Sequence, residues 1–249
     1  MKKIAFYVEG LTEQLFLNKL LVEVAGQKQI TIKLLTFRKG EGKFRRAKLP
    51  KTRSTAEETF HQVLLYDCGG EENVKTKILE DYESLLRQGY EQIIGLLDLF
   101  PKPIENKEKF ERTLKTGISR NGREVTPPLP SGADIVVVVR EMETWFLSEC
   151  RHFKCIATGI TLHDIEGKLG FNPCEGDMRE REQPAKDLHA IYQIGEKAYL
   201  KAGSRKKRSR IERTIECLDY AEVYLKLRKK LPELDDLLHI IDDFIEKEK

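Results

Sequence analysis

The sequence predicts an α/β fold: a mainly parallel sheet flanked by helices, followed by a helical C-terminal extension. Three observations carry this. Short apolar runs bounded by turn residues recur at 4–8, 29–37, 60–66, 92–97 and 133–139, with helical periodicity in several of the gaps between them. The last run, ADIVVVV, is apolar on consecutive positions, as a strand covered on both faces must be. Beyond 183 strand signals cease and only helical stripes remain.

The first strand, Ile4 to Val8, runs into Glu9-Gly10, and a helical pattern begins at once with Leu11, Leu15, Phe16, Leu20 and Val24. Gly10 permits a tight strand-to-helix turn, Thr12 can cap the first free N–H groups, and Glu13 falls in the first turn, where the helix dipole favours negative charge. Because ligands of open α/β sheets collect at the carboxyl ends of strands, Glu9 stands where chemistry is expected. The second strand, QITIKLLTF, gives way to a basic stretch from Arg38 to Arg53 that lacks the Walker A pattern; its Arg45 and Arg46 are candidates for holding a phosphate backbone. FHQVLLY is a third strand, followed by Asp67-Cys68-Gly69-Gly70 and a helix from Glu72 to Arg87 with a stripe of Val74, Ile78, Tyr82 and Leu85. The two glycines could bring N–H groups to an anion at that helix start.

QIIGLL ends at Asp98, a further strand-end carboxylate, and a helix over 104–114 follows. The proline-rich stretch from Thr116 to Gly132 is an irregular excursion. The strand Ala133–Val139 runs into Arg140-Glu141-Met142-Glu143; in extended geometry residues two apart share a side, so Glu141 and Glu143 should converge at roughly 7 Å. Residues 1–150 therefore form an α/β domain, 151–182 a loop-rich connection and 183–249 a helical extension, with helices beginning at Pro184 and spanning 209–229 and 231–246. A basic run from Lys201 to Arg213, with Arg205, Lys206, Lys207 and Arg208 at its centre, is a second candidate contact for nucleic acid or for an acidic partner.

Several of these motifs share a resemblance. Val8-Glu9-Gly10-Leu11-Thr12-Glu13 resembles the first signature of TOPRIM domains, the metal-dependent catalytic module of topoisomerases, primases and OLD-type nucleases. The strand, Gly-Gly and helix at 60–87 resemble the second TOPRIM element in its OLD-like form, and Asp98 occupies the third. TOPRIM domains usually carry Asp-x-Asp there, whereas this chain has Leu99-Phe100 after a single aspartate, a departure that puts the second metal position in doubt. Arg140 to Leu147 resembles the HEFEALLF-like signature of a set of bacterial TOPRIM-like proteins, with Arg140 in place of the histidine, and Pro184-Ala185-Lys186 resembles their Pro-Ser-Lys element.

The resemblance implies a TOPRIM-like sheet and a divalent-metal-dependent nuclease acting on DNA or RNA. Glu9 and Asp98 would be catalytic, Lys186 an electrophilic partner, and Glu9, Glu13, Asp98, Glu141 and Glu143 would hold Mg²⁺ or Mn²⁺, ions that suit oxygen ligands. It further implies an effector of a bacterial antiviral defence system working with an ABC-type ATPase. The alternative is a non-catalytic TOPRIM-like module that binds nucleic acid or a partner ATPase, which the missing second aspartate favours.

Bulk properties bound these readings. With 34% charged and 40% apolar residues the composition is that of a heavily solvated globular protein, and a net charge of +3 is too small to argue for nucleic acid except through its distribution. No apolar run is long enough to span a bilayer, and Met1-Lys2-Lys3 leads directly into a strand, so a cytoplasmic address is expected. Cys68, Cys150, Cys155, Cys174 and Cys217 form an odd set without paired C-x-x-C spacing; a disulfide framework is not expected, and His152 lies too close to Cys150 and Cys155 for a familiar zinc knuckle.

Overall fold

The computed structural model describes residues 1–26, 30–37, 45–46, 61–118, 122–200 and 204–246, with residues 45, 46, 204 and 205 described as backbone alone. The elements in order are β1 (Lys2–Val8), α1 (Leu11–Ala25), β2 (Ile30–Thr36), β3 (Arg45–Arg46), β4 (His61–Asp67), α2 (Glu71–Arg87), β5 (Gln92–Asp98), α3 (Lys107–Thr116), β6 (Ala133–Val138), α4 (Glu143–Ser148), α5 (Phe153–Ile156), α6 (Leu162–Leu169), α7 (Pro184–Ile194), α8 (Ser204–Cys217), α9 (Tyr220–Leu225) and α10 (Pro232–Ile245). The sheet order is β3-β2-β4-β1-β5-β6. Five strands run parallel, and the two-residue β3 pairs antiparallel with β2 at one edge. The predicted fold class is thus the observed one, helical C-terminal part included.

The chain divides into two compact units. The first comprises 1–98, 105–137 and 239–249, and the second 99–104 and 138–238. The division falls at 138 rather than at 150, and the last residues group with the sheet: Lys2 donates to the carbonyls of Asp243 and Glu246, and the His61 and Phe244 rings meet edge to face.

In the first unit β1 is the centre of the core, with Ile4 through Val8 all fully buried. Parallel strands covered by helices bury both faces, which is why this run does not alternate. Gly95 in β5 is packed tightly between β6 and α2: a Cβ there would stand 2.9 Å from Ile135 and 3.2 Å from both Ile78 and Val74, so a larger residue fits only if its neighbours shift.

The second unit is helical and contains the element order that periodicity blurred. The predicted connection over 151–182 holds a regular helix, α6, capped by the Thr161 hydroxyl, which accepts from the Asp164 N–H at 3.1 Å, and closed by Gly170 at φ 74°. The predicted helix over 209–229 is instead α8, α9 and a 3₁₀ turn, because the Asp219 carboxylate accepts from the Glu222 N–H at 3.0 Å and starts a new helix. The cysteine expectation is overturned here. Cys150 bonds Cys174 and Cys155 bonds Cys217, across 24 and 62 positions of sequence, and only Cys68 is free. Proximity made by packing α5 against α8 leaves no trace in local spacing.

Candidate functional site

In the first unit, carboxylates end three adjacent strands: Asp67 on β4, Glu9 just past β1, and Asp98 on β5. Val8 is level with Asp67 on one side and with Leu96 on the other. Aligned residues of parallel strands point to the same face, and so do residues two apart, so Asp67 and Asp98 project to one face on either side of β1. Glu9 lies at the bend between them, half-buried, with Oε2 3.4 Å from the Asp98 backbone N–H, a long and weak contact.

Asp67 was not among the residues the sequence singled out for chemistry. Its signal was present: a carboxylate at a strand end immediately before a glycine pair. The side chain is buried, Oδ1 accepts from the Gly69 N–H at 3.0 Å, and burial holds its carboxyl above the usual range although that hydrogen bond opposes the shift.

The turns around these residues differ from expectation in informative ways. Gly10, not Thr12, is the N-cap of α1, and its φ of −159° is extended backbone open to any residue. Glu13 turns back to accept from the Gly10 N–H at 2.9 Å and is 6% exposed; a carboxylate so used steadies the helix start and is poorly placed as a metal ligand. The glycine pair does require glycine, with φ of 70° at Gly69 and 148° at Gly70. Their N–H groups, however, serve Asp67 and the Glu9 carbonyl, the latter at 2.8 Å, and Glu71 and Glu72 follow at once, so the expected anion cradle is absent from this turn.

In the second unit the sequence placed Glu141 and Glu143 side by side in an extended segment. The backbone is not extended there: Arg140 takes φ 64° and α4 begins at Glu143. Glu141 accepts from the Ala185 N–H at 3.1 Å at the start of α7, and Lys186 lies near enough to lower its carboxyl, though burial dominates and holds it above the usual range. Glu143 points the other way, into the core, where the Tyr199 hydroxyl donates to it. Burial pushes its carboxyl up to about 7 against the opposing influence of Tyr199, with Glu141 raising it further and Lys207 lowering it. Glu143 is therefore a buried structural acid. Lys186 is exposed.

Tyr192 extends a second polar thread through this core: its hydroxyl sits 2.8 Å from His152 Nε2 and donates to Thr214 at 3.0 Å, while Glu149 accepts from the Arg151 and His152 N–H groups. Both ring nitrogens of His152 thus have partners inside the protein, the Glu149 carbonyl and the Tyr192 hydroxyl. Of the basic residues predicted to meet nucleic acid, Lys206 and Lys207 are exposed on α8, and Arg208 pairs with Glu212 at 2.7 Å. The side chains of Arg45, Arg46 and Arg205 lie outside the described residues.

The all-oxygen set of Glu9, Asp67 and Asp98 suits a hard divalent cation by chemistry. Among the described residues no three His, Cys, Asp or Glu side chains stand close enough together to hold one without rearrangement. Leu99, where a second aspartate was missing, is fully buried and donates its N–H to Val138 at 2.9 Å, so that position belongs to the core. Among the described residues no helix is long and apolar enough to cross a membrane.

Comparison with curated proteins and with solved structures returned no match. Comparison with protein families matched one, described as a domain of unknown function (DUF4276), over residues 8–239. That span begins at the last residue of β1 and runs into α10, enclosing every carboxylate described above, and the chain belongs to the DUF4276 family.

Proposed function

We propose that this protein is a divalent-metal-dependent hydrolase of nucleic-acid phosphodiesters. The observation that carries the reading is the pairing of Glu9 and Asp98 at the carboxyl ends of neighbouring parallel strands, where open α/β sheets place their chemistry. The resemblance of the Glu9 and Asp98 segments to TOPRIM signatures supports the same reading.

Mg²⁺ is commonly held by one or two carboxylates together with waters and substrate phosphate oxygens, so Glu9 and Asp98 suffice as protein ligands and a closed three-residue cage is not required. An ion there would polarise the scissile phosphate and lower the pKa of its water. The chain's own residues do the rest. Glu9 and Asp98 fix the charge at the strand ends, and Asp67, on the neighbouring strand and held above the usual carboxylate range by burial, is the candidate to take up and return a proton. In the second unit Glu141 holds the start of α7 through the Ala185 N–H, beside the exposed Lys186, which is proposed as the electrophilic partner on the resemblance alone. Lys206 and Lys207 supply sequence-independent phosphate contacts. We further propose a defence role alongside an ABC-type ATPase, on the resemblance alone.

The buried Leu99 favours a second reading, a nucleic-acid or ATPase-binding module without catalysis. Cleavage assays on single- and double-stranded DNA and RNA with Mn²⁺, comparing wild type with Glu9→Gln and Asp98→Asn, separate the two. The hydrolase reading expects cleavage that falls by orders of magnitude in both variants. Binding without cleavage, unchanged by either substitution, would establish the module.

A further inference from the structure

Away from the strand-end carboxylates, the first unit has a cavity of about 520 Å³ bounded by α2, the end of α3 and residues 125–127, a size that suits a small molecule. Lys75 lines it and is only 6% exposed. Its ammonium donates to Thr126 Oγ1 at 2.7 Å, and among the described residues this is that group's one hydrogen bond, with no carboxylate paired to it. An ammonium carries three donors, and burying it against a single neutral hydroxyl leaves its charge uncompensated. Losing the proton relieves that cost, and burial does hold Lys75 below the usual lysine range.

A lysine nitrogen that gives up its proton becomes a nucleophile, which a solvated ammonium is not. Lys206 and Lys207, exposed on α8, keep their charge in water, whereas Lys75 faces a cavity whose wall is formed by Leu79, Leu114 and Val125. Val125 is 54% exposed, so this wall reaches the surface and a solute can enter along it. The Thr126 hydroxyl fixes the head of an otherwise flexible side chain at the cavity. Two features therefore select the ligand. The apolar wall takes an alkyl chain, and a neutral amine takes an electrophilic carbonyl carbon, which brings no charge into the cavity.

We propose that this cavity binds an apolar aldehyde and that Lys75 condenses with it to an imine. The Nζ lone pair forms a bond to the carbonyl carbon, and the π pair of the carbonyl moves to its oxygen. That oxygen takes up the two protons of the neutral amine and leaves as water, and the nitrogen closes a double bond to the carbon. No oxidant or reductant is consumed. Thr126 Oγ1, within hydrogen-bonding distance of Nζ, is placed to relay the protons.

The probe is hexanal, added in limiting amount to the full chain near neutral pH with cyanoborohydride, which reduces an imine to a stable secondary amine. Peptide mass spectrometry then maps the alkylated lysines. Lys75 should be labelled at least about tenfold more than Lys206 or Lys207, because the apolar wall holds the aldehyde against the nitrogen. The preference should vanish when the chain is unfolded in urea, and it should shrink with acetaldehyde, which lacks the alkyl chain. All three comparisons use the wild-type chain, so none depends on a variant that folds. Lys75 labelled no more than the exposed lysines overturns the proposal. A preference that persists in urea also overturns it, since local sequence and not the cavity would then activate the lysine. An undiminished preference with acetaldehyde overturns the role of the apolar wall.

Discussion

Glu143 offers a quantitative test of the distinction between a structural acid and a metal ligand. Its carboxyl ionises near an ordinary 4.5 in the unfolded chain and at about 7 in the fold, chiefly because it is buried. At about 1.36 kcal/mol per pH unit, ionising it in the native state costs about 3 kcal/mol more than in the unfolded chain. The sign follows from the proton count. Between pH 4.5 and 7 the folded protein keeps a proton that the unfolded chain has released, so stability falls as pH rises through this window and stays lower above it. Glu143→Gln keeps an acceptor for the Tyr199 hydroxyl and cannot ionise. Urea unfolding of both proteins at pH 5 and pH 8 gives the comparison, in which any constant cost of the amide cancels. Wild type should lose about 2.5 kcal/mol more than the variant between the two pH values, since a little of the cost is already present at pH 5. Glu141 and Asp67, also held above the usual range, add the same sign of dependence to both proteins and drop out. Identical pH dependence in the two proteins would refute the burial of Glu143 and restore it as a candidate ligand.

Three further outcomes are expected. Gly95→Ala should destabilise the protein by about 1–3 kcal/mol in thermal or urea unfolding, because its Cβ would meet Ile135 at 2.9 Å inside a close-packed layer. Alkylation under denaturing, non-reducing conditions should modify Cys68 alone and, after reduction, all five cysteines; on loop length the two bridges would contribute about 3.5 and 4.3 kcal/mol, so reduction should also lower the melting temperature. Replacing Lys206 and Lys207 with glutamine should weaken nucleic-acid binding evenly across sequences and flatten its logarithmic salt dependence by about 0.9 for each duplex phosphate that is no longer neutralised, read by anisotropy across a salt series.

The legible part of this fold was the part written in local pattern. Ile4 to Val8 and Ala133 to Val138 are consecutive apolar positions that only a doubly covered strand explains, and the carboxylates closing β1 and β5 were visible because each run ends abruptly on an acid. The features that escaped it depend on backbone geometry or tertiary proximity. Nothing in Arg140-Glu141-Met142-Glu143 announces that Arg140 turns into the left-handed region, yet that turn sends Glu141 to the start of α7 and Glu143 into the core. The bridges Cys150–Cys174 and Cys155–Cys217 exist only because segments distant in sequence pack together, and Asp67 gained interest only when register placed it level with Val8. Glu13 was correctly read as a first-turn acid, and what the sequence did not show is that it turns back to accept from the Gly10 N–H.

The most direct test of the strand-end site is Mn²⁺ binding itself, followed by electron paramagnetic resonance of free ion in wild type, Glu9→Gln and Asp98→Asn, with Glu143→Gln as a control. The account predicts that wild type and Glu143→Gln deplete free Mn²⁺ alike, and that each of the other two substitutions weakens binding by about 10–100-fold. Mn²⁺ binding that survives the loss of both Glu9 and Asp98, or that disappears with Glu143→Gln alone, would contradict it.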